Sequence, residues 1–468
     1  MYNLPGVEGI EPQSGLTLSG NTLYGTTAAG GVSYDGKVFS GNNGTAFAMN
    51  LDGTGFTTLQ AFTIGNTPPN AALASSGGVL FGRTFPEGTL GGGSVFAFNS
   101  DGTGFTNLCT FPVPSNGGPL SQIHYLDESP ALLVVAGKTL YGASFEGGSP
   151  ESGSVFAINT DGSGFTNIYD FSPCGFVLAD TNDLTLTPTN FDGAGPSGLV
   201  LSGGALYGTA EFGGTNGNGT VFSVNTDGSD FQVLHTFLPG HIYRSAPFLT
   251  NASTNPDGAF PTAGLVLSGD TLYGTPLVGG GPGYGTVFSV RTNGSDFTIL
   301  HSFTKGLDGG NPAFGVIMSG HTLYGATRNG GASGGGAVFA LSTDGSGFTT
   351  VYSFTNGADG AFPTTGLVLS GNSLYGTTES GGYLRLGAVY SISFTPQLGA
   401  ATSGSNLHLT WPTNVAGFDY TGYTLQSTTN LGAITGWSVV PGAPVVINGL
   451  KTVTTPLSGS QSFYRLSQ

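Results

Sequence analysis

Four short segments within residues 264–303 decide the fold, and in order they read Gly-Leu-Val-Leu-Ser-Gly (264–269), Thr-Leu-Tyr-Gly-Thr (271–275), Gly-Thr-Val-Phe-Ser-Val (285–290) and Phe-Thr-Ile-Leu-His-Ser-Phe (297–303). Each segment is short, rich in β-branched and aromatic residues and flanked by glycine, which predicts a β-strand. Similar segments recur along most of the chain. The sequence therefore predicts a tandem repeat of four-stranded units.

The aromatic residue of the second segment counts the units. It recurs seven times, as Tyr24, Phe81, Tyr141, Tyr207, Tyr273, Tyr324 and Tyr375. In six units the aromatic residue of the third segment follows 15 positions later, whereas Phe47 follows Tyr24 after a longer loop. Constant spacing within a unit and variable spacing between units are typical of rigid sheets joined by loops of different length. We therefore predict an all-β fold that contains a seven-bladed β-propeller.

The last unit lacks a fourth strand of its own. It stops at Tyr390-Ser-Ile-Ser-Phe394, without the turn that elsewhere leads from the third strand to the fourth. The chain begins with Tyr2-Asn3-Leu4, which matches the fourth strand Tyr352-Ser353-Phe354 of the sixth unit. We expect this N-terminal strand to complete the seventh blade and close the ring, because an incomplete ring exposes two sheet edges.

The recurring Leu-Tyr-Gly-Thr, Gly-Thr-Val-Phe and Asp-Gly-Ser-Gly-Phe segments resemble the Gly-rich tandem repeats of Gloeobacter and Verrucomicrobia, called GloVer repeats, over residues 1–395. This resemblance implies a secreted protein with a surface anchor and brings no biochemical activity with it. The second unit departs most from the pattern, with Leu80-Phe81-Gly82-Arg83, and we expect its blade to be distorted.

A second domain is expected from Pro396 onward, where the repeat ends. Segments around Trp411, Tyr423, Trp437 and residues 462–466 alternate apolar and polar residues at strand period. They resemble the small fibronectin type III or immunoglobulin-like sandwiches of secreted bacterial proteins. We therefore predict a propeller over residues 1–395 and a C-terminal β-sandwich over residues 396–468.

Composition excludes several classes of partner. The chain carries 10 Lys and Arg against 26 Asp and Glu, and its net charge of -16 opposes binding to nucleic acid and anionic membranes. The longest apolar run, residues 131–136, is too short to span a bilayer, and no export signal follows Met1. Abundant Thr, Ser, Asn and Gly are typical of extracellular bacterial β-proteins, so we expect an extracellular or cell-surface location.

The two cysteines do not form a metal motif or a disulfide framework. Cys109 and Cys174 lack the paired spacing of zinc ligands. A bond between them is geometrically conceivable, but two inert thiols are the favoured interpretation.

Candidate ligand-binding residues lie in long inserts between strands at one face of the predicted propeller. Two inserts combine histidine, aromatic and charged residues, namely His124, Tyr125, Asp127, Glu128, His241, Tyr243 and Arg244. The tyrosines are suited to stacking on sugar rings, and the charged groups to binding hydroxyls or a charged substituent. The alternative interpretation is that these side chains only fold the inserts over the rim.

A second set of candidates repeats with the units and consists of carboxylates before the first strand. They are Glu8 and the four aspartates Asp192, Asp257, Asp308 and Asp359. Oxygen ligands of this kind suit calcium. However, Asp-Gly with a nearby proline also builds a turn, and that is the favoured interpretation. No cofactor is therefore expected, with calcium left open.

Three functions fit these features: a binding module for a glycan or surface polymer, a structural surface protein or filament component, and a polysaccharide lyase or hydrolase. Enzyme motifs are scarce. Residues 331–335 match a hydrolase nucleophile pattern, but they fall between two predicted strands and precede no helix. His235 and His301 fall in outer strands and are interpreted as exposed filler. Binding or display is therefore favoured over catalysis.

Overall fold

The structure is a computed structural model, and the residues it describes are 2–4, 8–12, 14–31, 44–62, 69, 71–84, 93–112, 133–145, 147–149, 151–178, 186–240, 255–363, 365–415, 417–420, 422–430, 436–457 and 462–467. Within these ranges the secondary structure consists of β-strands without an α-helix. The prediction of an all-β fold is confirmed.

The chain divides into two compact units. The first comprises Met1–Met318, Leu323–Ser370 and Leu374–Ser391, and the second comprises Ser319–Thr322, Gly371–Ser373 and Ile392–Gln468.

The strands of the first unit begin with β1 (Tyr2–Asn3) and then form antiparallel sheets in chain order. Sheet 1 contains β2 (Thr17–Ser19), β3 (Thr22–Thr27), β4 (Thr45–Asn50) and β5 (Thr57–Ala61). Sheet 2 contains β6 (Ala74–Ser76), β7 (Val79–Thr84), β8 (Ser94–Asn99) and β9 (Thr106–Thr110). Sheet 3 contains β10 (Val134–Ala136), β11 (Thr139–Ser144), β12 (Ser154–Asn159) and β13 (Thr166–Asp170).

A hairpin of β14 (Gly175–Leu178) and β15 (Leu186–Thr189) separates sheets 3 and 4 in the sequence. Sheet 4 contains β16 (Ala194–Ser202), β17 (Ala205–Phe212), β18 (Thr220–Asn225) and β19 (Gln232–Thr236). Sheet 5 contains β20 (Val266–Ser268), β21 (Thr271–Gly274), β22 (Thr286–Arg291) and β23 (Thr298–Ser302). Sheet 6 contains β24 (Val316–Ser319), β25 (Thr322–Thr327), β26 (Ala337–Ser342) and β27 (Thr349–Ser353).

Sheet 7 combines strands from both ends of the repeat region. It contains β28 (Ala361–Pro363), β29 (Val368–Ser370), β30 (Ser373–Ser380) and β31 (Ala388–Ser393). The N-terminal β1 pairs with β31 in antiparallel orientation, with Tyr2 opposite Val389 and Asn3 opposite Ala388. Residues from the start of the chain therefore form an edge of this sheet.

Packing within each sheet explains why the Leu-Tyr-Gly-Thr segment contains a glycine. Gly142 on β11 lies opposite Phe156 on β12, and a Cβ at Gly142 would lie 2.4 Å from Phe156 Cζ. The phenylalanine ring fills the space that a side chain at the glycine would need. A glycine in one strand and an aromatic residue in the next are therefore two parts of one contact.

The strand pairing of sheet 2 follows that of the other sheets, contrary to the expectation of distortion, and this includes the register shift between the third and fourth strands. The register between β7 and β8 is continuous from Val79 opposite Asn99 to Thr84 opposite Ser94. Arg83, which breaks the repeat pattern, is buried, and its guanidinium carbon lies 5.1 Å from the centre of the Phe111 ring. This cation–π contact and a hydrogen bond from Arg83 to the Ala143 carbonyl place the charge without disturbing the strand.

The second unit contains two main sheets. One has the strands β32 (Gly399–Ser403), β33 (Asn406–Pro412), β39 (Leu450–Pro456) and β38 (Val445–Ile447) in spatial order. The other has β37 (Ser438–Val439), β36 (Thr424–Thr428) and β40 (Phe463–Ser467), and a short hairpin is formed by β34 (Asn414–Val415) and β35 (Phe418–Asp419). Their core contains Leu409, Trp411, Leu425, Val440 and Val453.

Candidate functional site

The predicted ligand-binding residues of the inserts lie outside the described residues. This holds for His124, Tyr125, Asp127, Glu128, His241, Tyr243 and Arg244. Their role as a ligand site stays a prediction.

The predicted metal-binding aspartates each occupy the same kind of position, between the outermost strand of one sheet and the first strand of the next. Asp359, in the connection from β27 to β28, accepts hydrogen bonds through Oδ2 from the Tyr352 hydroxyl at 3.1 Å and the Thr355 backbone N–H at 2.7 Å. Its Oδ1 accepts from the Thr355 hydroxyl and, at 3.3 Å, from the Gly357 N–H. We call this arrangement, a carboxylate with a ring group on the outer strand and a backbone N–H three residues later, an acid clasp.

The same clasp forms at the other three aspartates. Asp192 accepts from the Tyr169 hydroxyl and the Ser172 N–H, both at 2.8 Å. The carboxylate of Asp257 lies 2.9 Å from His235 Nε2 and 3.1 Å from the Leu238 backbone nitrogen. Asp308 lies 3.3 Å from His301 Nε2 and accepts from the Thr304 N–H at 2.9 Å. At the N-terminus the Tyr2 hydroxyl donates to Glu8 in the corresponding way.

The rings of three clasps, and the ring of Tyr2, also stack on a phenylalanine of another sheet. Ring centres lie 3.9 Å apart for Tyr169 and Phe231, 3.5 Å for His235 and Phe297, 3.8 Å for His301 and Phe348, and 4.6 Å for Tyr2 and Phe56. Each pair is close to parallel. The interpretation of His235 and His301 as exposed filler was therefore wrong, because both rings are stacked and hydrogen-bonded.

The contacts within the clasps change the pKa values of several of their members. Burial and the neighbouring Asp192 carboxylate raise the pKa of Tyr169, and burial together with Asp359 raises the pKa of Tyr352. Burial lowers the pKa of His301 and outweighs the opposite effect of Asp308. For Asp359 burial acts to raise the pKa, but the hydrogen bonds from Thr355 and Tyr352 outweigh it and lower the pKa. These tyrosines and His301 are therefore neutral at pH 7.

The carboxylates of the clasps are held apart, one to each connection. No group of three or more His, Cys, Asp or Glu side chains able to hold a metal ion occurs within the described ranges. Most of the carboxylate oxygens already accept hydrogen bonds from protein groups. Calcium binding at Asp192, Asp257, Asp308 and Asp359 stays a prediction.

Charged residues that the sequence reasoning missed lie just after the glycine of the second strand. Arg328 follows β25 and Glu379 lies in β30, and their side chains form an ion pair of 2.7 Å while being 14% and 20% exposed. Glu211 lies at the corresponding place in β17 and is fully buried. The sequence already shows this difference, because the equivalent positions of sheets 3 and 5 are the apolar residues Phe145 and Leu277. A charge at a repeat position that is otherwise apolar marks a change of role.

A buried apolar cluster forms around the equivalent positions of sheets 3 to 5. Its buried members are Phe145, Ala194, Phe212, Ala259, Phe260, Leu277, Val278 and Ala313. The repeat positions of one face are thus apolar in some sheets and charged in others.

The opposite turns are nearly identical from sheet to sheet. The Oδ1 atoms of Asp52, Asp101, Asp161, Asp227 and Asp344 each accept the backbone N–H two residues later at 2.9 Å. A hydrogen bond from the hydroxyl of the same Thr or Ser residue, together with this backbone bond, lowers the pKa of each aspartate. These residues build turns, as their sequence context predicts.

Both cysteines are free thiols, in agreement with the favoured interpretation of the sequence. Burial raises the pKa of Cys109 and of Cys174. Both groups are therefore poor nucleophiles at neutral pH.

A family model, the Gloeobacter/Verrucomicrobia repeat, matches residues 40–245 and 240–435. The chain belongs to this repeat family. The resemblance seen in the Leu-Tyr-Gly-Thr and Gly-Thr-Val-Phe segments is confirmed. The match of the Gloeobacter/Verrucomicrobia repeat runs past the expected domain boundary at Pro396, as far as residue 435.

Comparisons beyond the Gloeobacter/Verrucomicrobia repeat family give distant likenesses. No curated protein matches the sequence. A putative 6-phosphogluconolactonase from Bacteroides fragilis is 15% identical with a TM-score of 0.45, over 76% of this chain and 86% of that one. An oligogalacturonate lyase from Vibrio parahaemolyticus is 9% identical with a TM-score of 0.46, over 82% of this chain and 89% of that one.

Among the described residues, no helix has the length and apolar character needed to cross a membrane.

Proposed function

We propose that the first unit is a seven-bladed β-propeller, with sheets 1 to 7 as its blades and β1 closing the ring. One support is a series of backbone hydrogen bonds between successive sheets. The residue before a proline donates its N–H to a loop of the preceding sheet, as in Gly195 to Ser152 at 2.9 Å, Phe260 to Asn218 at 3.0 Å, Asn311 to Tyr284 at 2.7 Å and Phe362 to Gly335 at 2.8 Å. The same bond joins sheet 1 to sheet 7, from Glu11 to Leu386 at 3.0 Å.

Side-chain packing between sheets 1 and 7 also supports closure. Leu16, Leu23, Phe47 and Met49 of sheet 1 form one buried cluster with Tyr375 and Val389 of sheet 7. Comparable clusters join sheets 1 to 2, 2 to 3, 3 to 4, 4 to 5 and 5 to 6. Phe354 of the sixth repeat contacts Tyr390 of sheet 7, with ring centres 5.0 Å apart.

Removing residues 1–5 tests the closure. The deletion takes away the β1 pairing with β31 and the hydrogen bond from Tyr2 to Glu8, so we expect a clear fall in the melting temperature. A Tyr2→Phe variant, which keeps the strand and the stacking on Phe56 but loses the hydroxyl, should fall less. A melting curve of the deletion that matches the parent would refute the closed ring.

We further propose that the protein acts outside the cell as a binding or display module for a carbohydrate or another surface polymer. The observation that carries this proposal is the asymmetry between the two faces. The Asp-Gly turns repeat one geometry, whereas the loops between the second and third strands and the connections between sheets differ in length and sequence from repeat to repeat, and the long inserts fall among these connections. Specific recognition needs unlike groups, and the sequences of the inserts supply them.

A double Tyr125→Ala and Tyr243→Ala variant tests the placement of the ligand. If these rings stack on sugars, a ligand found on a glycan array should bind the variant more weakly while the melting temperature stays close to that of the parent. A turnover assay on acidic polysaccharides, run in parallel, separates binding from a lyase or hydrolase. Equal binding by parent and variant would show that the inserts are packing elements.

We also propose that residues 396–468 form a separate β-sandwich domain that serves for attachment. Its own core around Trp411 supports independent folding. Limited proteolysis near Pro396 should then release a stable propeller fragment. Loss of the whole first unit on cleavage would contradict the boundary.

A further inference from the structure

The loop between β30 and β31, residues 381–387, shares its backbone form with the equivalent loops of sheets 4, 5 and 6. In all four the last glycine donates its N–H to the first, as in Gly387 to Gly381 at 3.3 Å and Gly285 to Gly279 at 2.9 Å. The glycines at both ends of each loop have positive φ. The form of this loop is therefore set by its glycines and its hydrogen bonds.

The side chains at the tip of this loop differ sharply from those of its equivalents. Residues 383–385 are Tyr-Leu-Arg, where the other loops have Thr-Asn-Gly (215–217), Gly-Pro-Gly (281–283) and Ala-Ser-Gly (332–334). Arg385 has φ of 60°, in the left-handed region where the other three loops use glycine. Arginine is less stable than glycine in this conformation. The fold thus has no need of these three side chains and is slightly strained by one of them.

The tip also exposes large apolar groups to solvent. Tyr383 is 82% exposed and Leu384 is 56% exposed. The loop of sheet 5 has its aromatic residue, Tyr284, at the position of Leu386, where it is half-buried with the Lys305 ammonium 5.3 Å from its ring centre. Within the described part of the chain, the Arg385 guanidinium forms no ion pair. Three successive residues therefore expose an aromatic ring, an alkyl group and a guanidinium, and no ion pair with the guanidinium is formed by the described residues.

We infer that the Tyr383-Leu384-Arg385 tip binds an acidic polysaccharide, and this inference rests on the proposed carbohydrate-binding function. The tyrosine ring offers a flat surface for the apolar face of a pyranose, and leucine extends that surface. The planar guanidinium pairs bidentately with a carboxylate such as that of a uronate, and this short-range contact at an exposed tip acts against the repulsion from the chain's net charge of -16. A loop tip contacts a ligand from one side only, which suits a long polymer better than a small molecule.

The test replaces the tip by the corresponding residues of sheet 5, as Tyr383→Gly, Leu384→Pro and Arg385→Gly in one variant. Binding to alginate, a polymer of uronates, is compared with binding to pullulan, a neutral glucan, by affinity electrophoresis. We expect at least a tenfold loss of alginate affinity, with a melting temperature equal to or slightly above that of the parent. A single Arg385→Lys variant should retain part of the affinity, and added salt should weaken alginate binding by the parent.

The outcomes separate this inference from the proposed function. If the parent binds alginate and the tip variant binds equally well, the tip is not the site, while carbohydrate binding by the protein stands. If the parent binds pullulan as tightly as alginate, the preference for acidic sugars is wrong. If the parent binds neither polymer, and no carbohydrate on a glycan array, both the inference and the proposed function are overturned.

Discussion

Replacing Asp257 by alanine measures how much an acid clasp stabilises the first unit. The Asp257 side chain is 8% exposed and that of its partner His235 is 17% exposed. The carboxylate accepts the Leu238 N–H at 3.1 Å and lies 2.9 Å from His235 Nε2. Asp257→Ala removes the acceptor of both donors at once.

The expected loss follows from these two contacts. A hydrogen bond to a charged group contributes about 1.5–3 kcal/mol, and partial access of water to the histidine reduces the sum, so we expect about 3 kcal/mol. A cooperative unit of roughly 400 residues has an unfolding entropy of about 0.8 kcal/mol/K. The melting temperature should therefore fall by about 4 °C.

Differential scanning calorimetry and urea denaturation provide the assay, and Asp227→Ala provides the matched control. Asp227 belongs to the same repeat and also accepts a backbone N–H at 2.9 Å, from Ser229, but in an exposed turn. Water replaces that acceptor, so the control should shift the transition much less. Equal shifts for the two variants would refute the view that the clasps are stabilising contacts.

Three further predictions concern packing, pH and metal. Gly142→Ala should destabilise by about 1–3 kcal/mol in urea denaturation, because its Cβ would lie 2.4 Å from Phe156 Cζ. The control is Gly281→Ala, at an exposed glycine that also lacks a positive φ and has open space around a Cβ; an equal loss in both variants would contradict the packing explanation. Burial lowers the folded-state pKa of His301, so its neutral form stabilises the fold above pH 6.5, and this contribution should be lost as the pH falls through the folded pKa. The melting temperature of His301→Gln should therefore depend less on pH between pH 7 and pH 5 than that of the parent. An equal pH dependence for both proteins would contradict this. If the aspartates of the clasps bind calcium, adding calcium should raise the melting temperature and a chelator should lower it, whereas indifference to both would exclude a stabilising calcium site.

Much of the fold was readable from the sequence because it is local. The spacing from Tyr141 to Phe156 fixes two adjacent strands, and the turn residues between segments fix the hairpins. The family could be recognised from the same segments. The expected distortion of sheet 2 was wrong, because the sequence does not show that Arg83 has a buried place beside Phe111.

The candidate site was less accessible to sequence reasoning. The repeated aspartates were found, but their partners were not, since Tyr169 and Asp192 are separated by 23 positions and Tyr352 and Asp359 by only 7. A pattern search with fixed spacing fails for such pairs. The ion pair of Arg328 with Glu379 joins residues 51 positions apart and has no local signal for the pairing.

The sequence by itself determined the repeat, the strands and the turns, because these depend on residues close together in the chain. The tertiary structure decided which rings meet which carboxylates and which repeat positions become charged pairs. These contacts form between neighbouring sheets, after loops of variable length have brought distant residues together. The loop tip at Tyr383 shows both levels, since its backbone follows the repeat while the exposure of its side chains is a property of the folded surface.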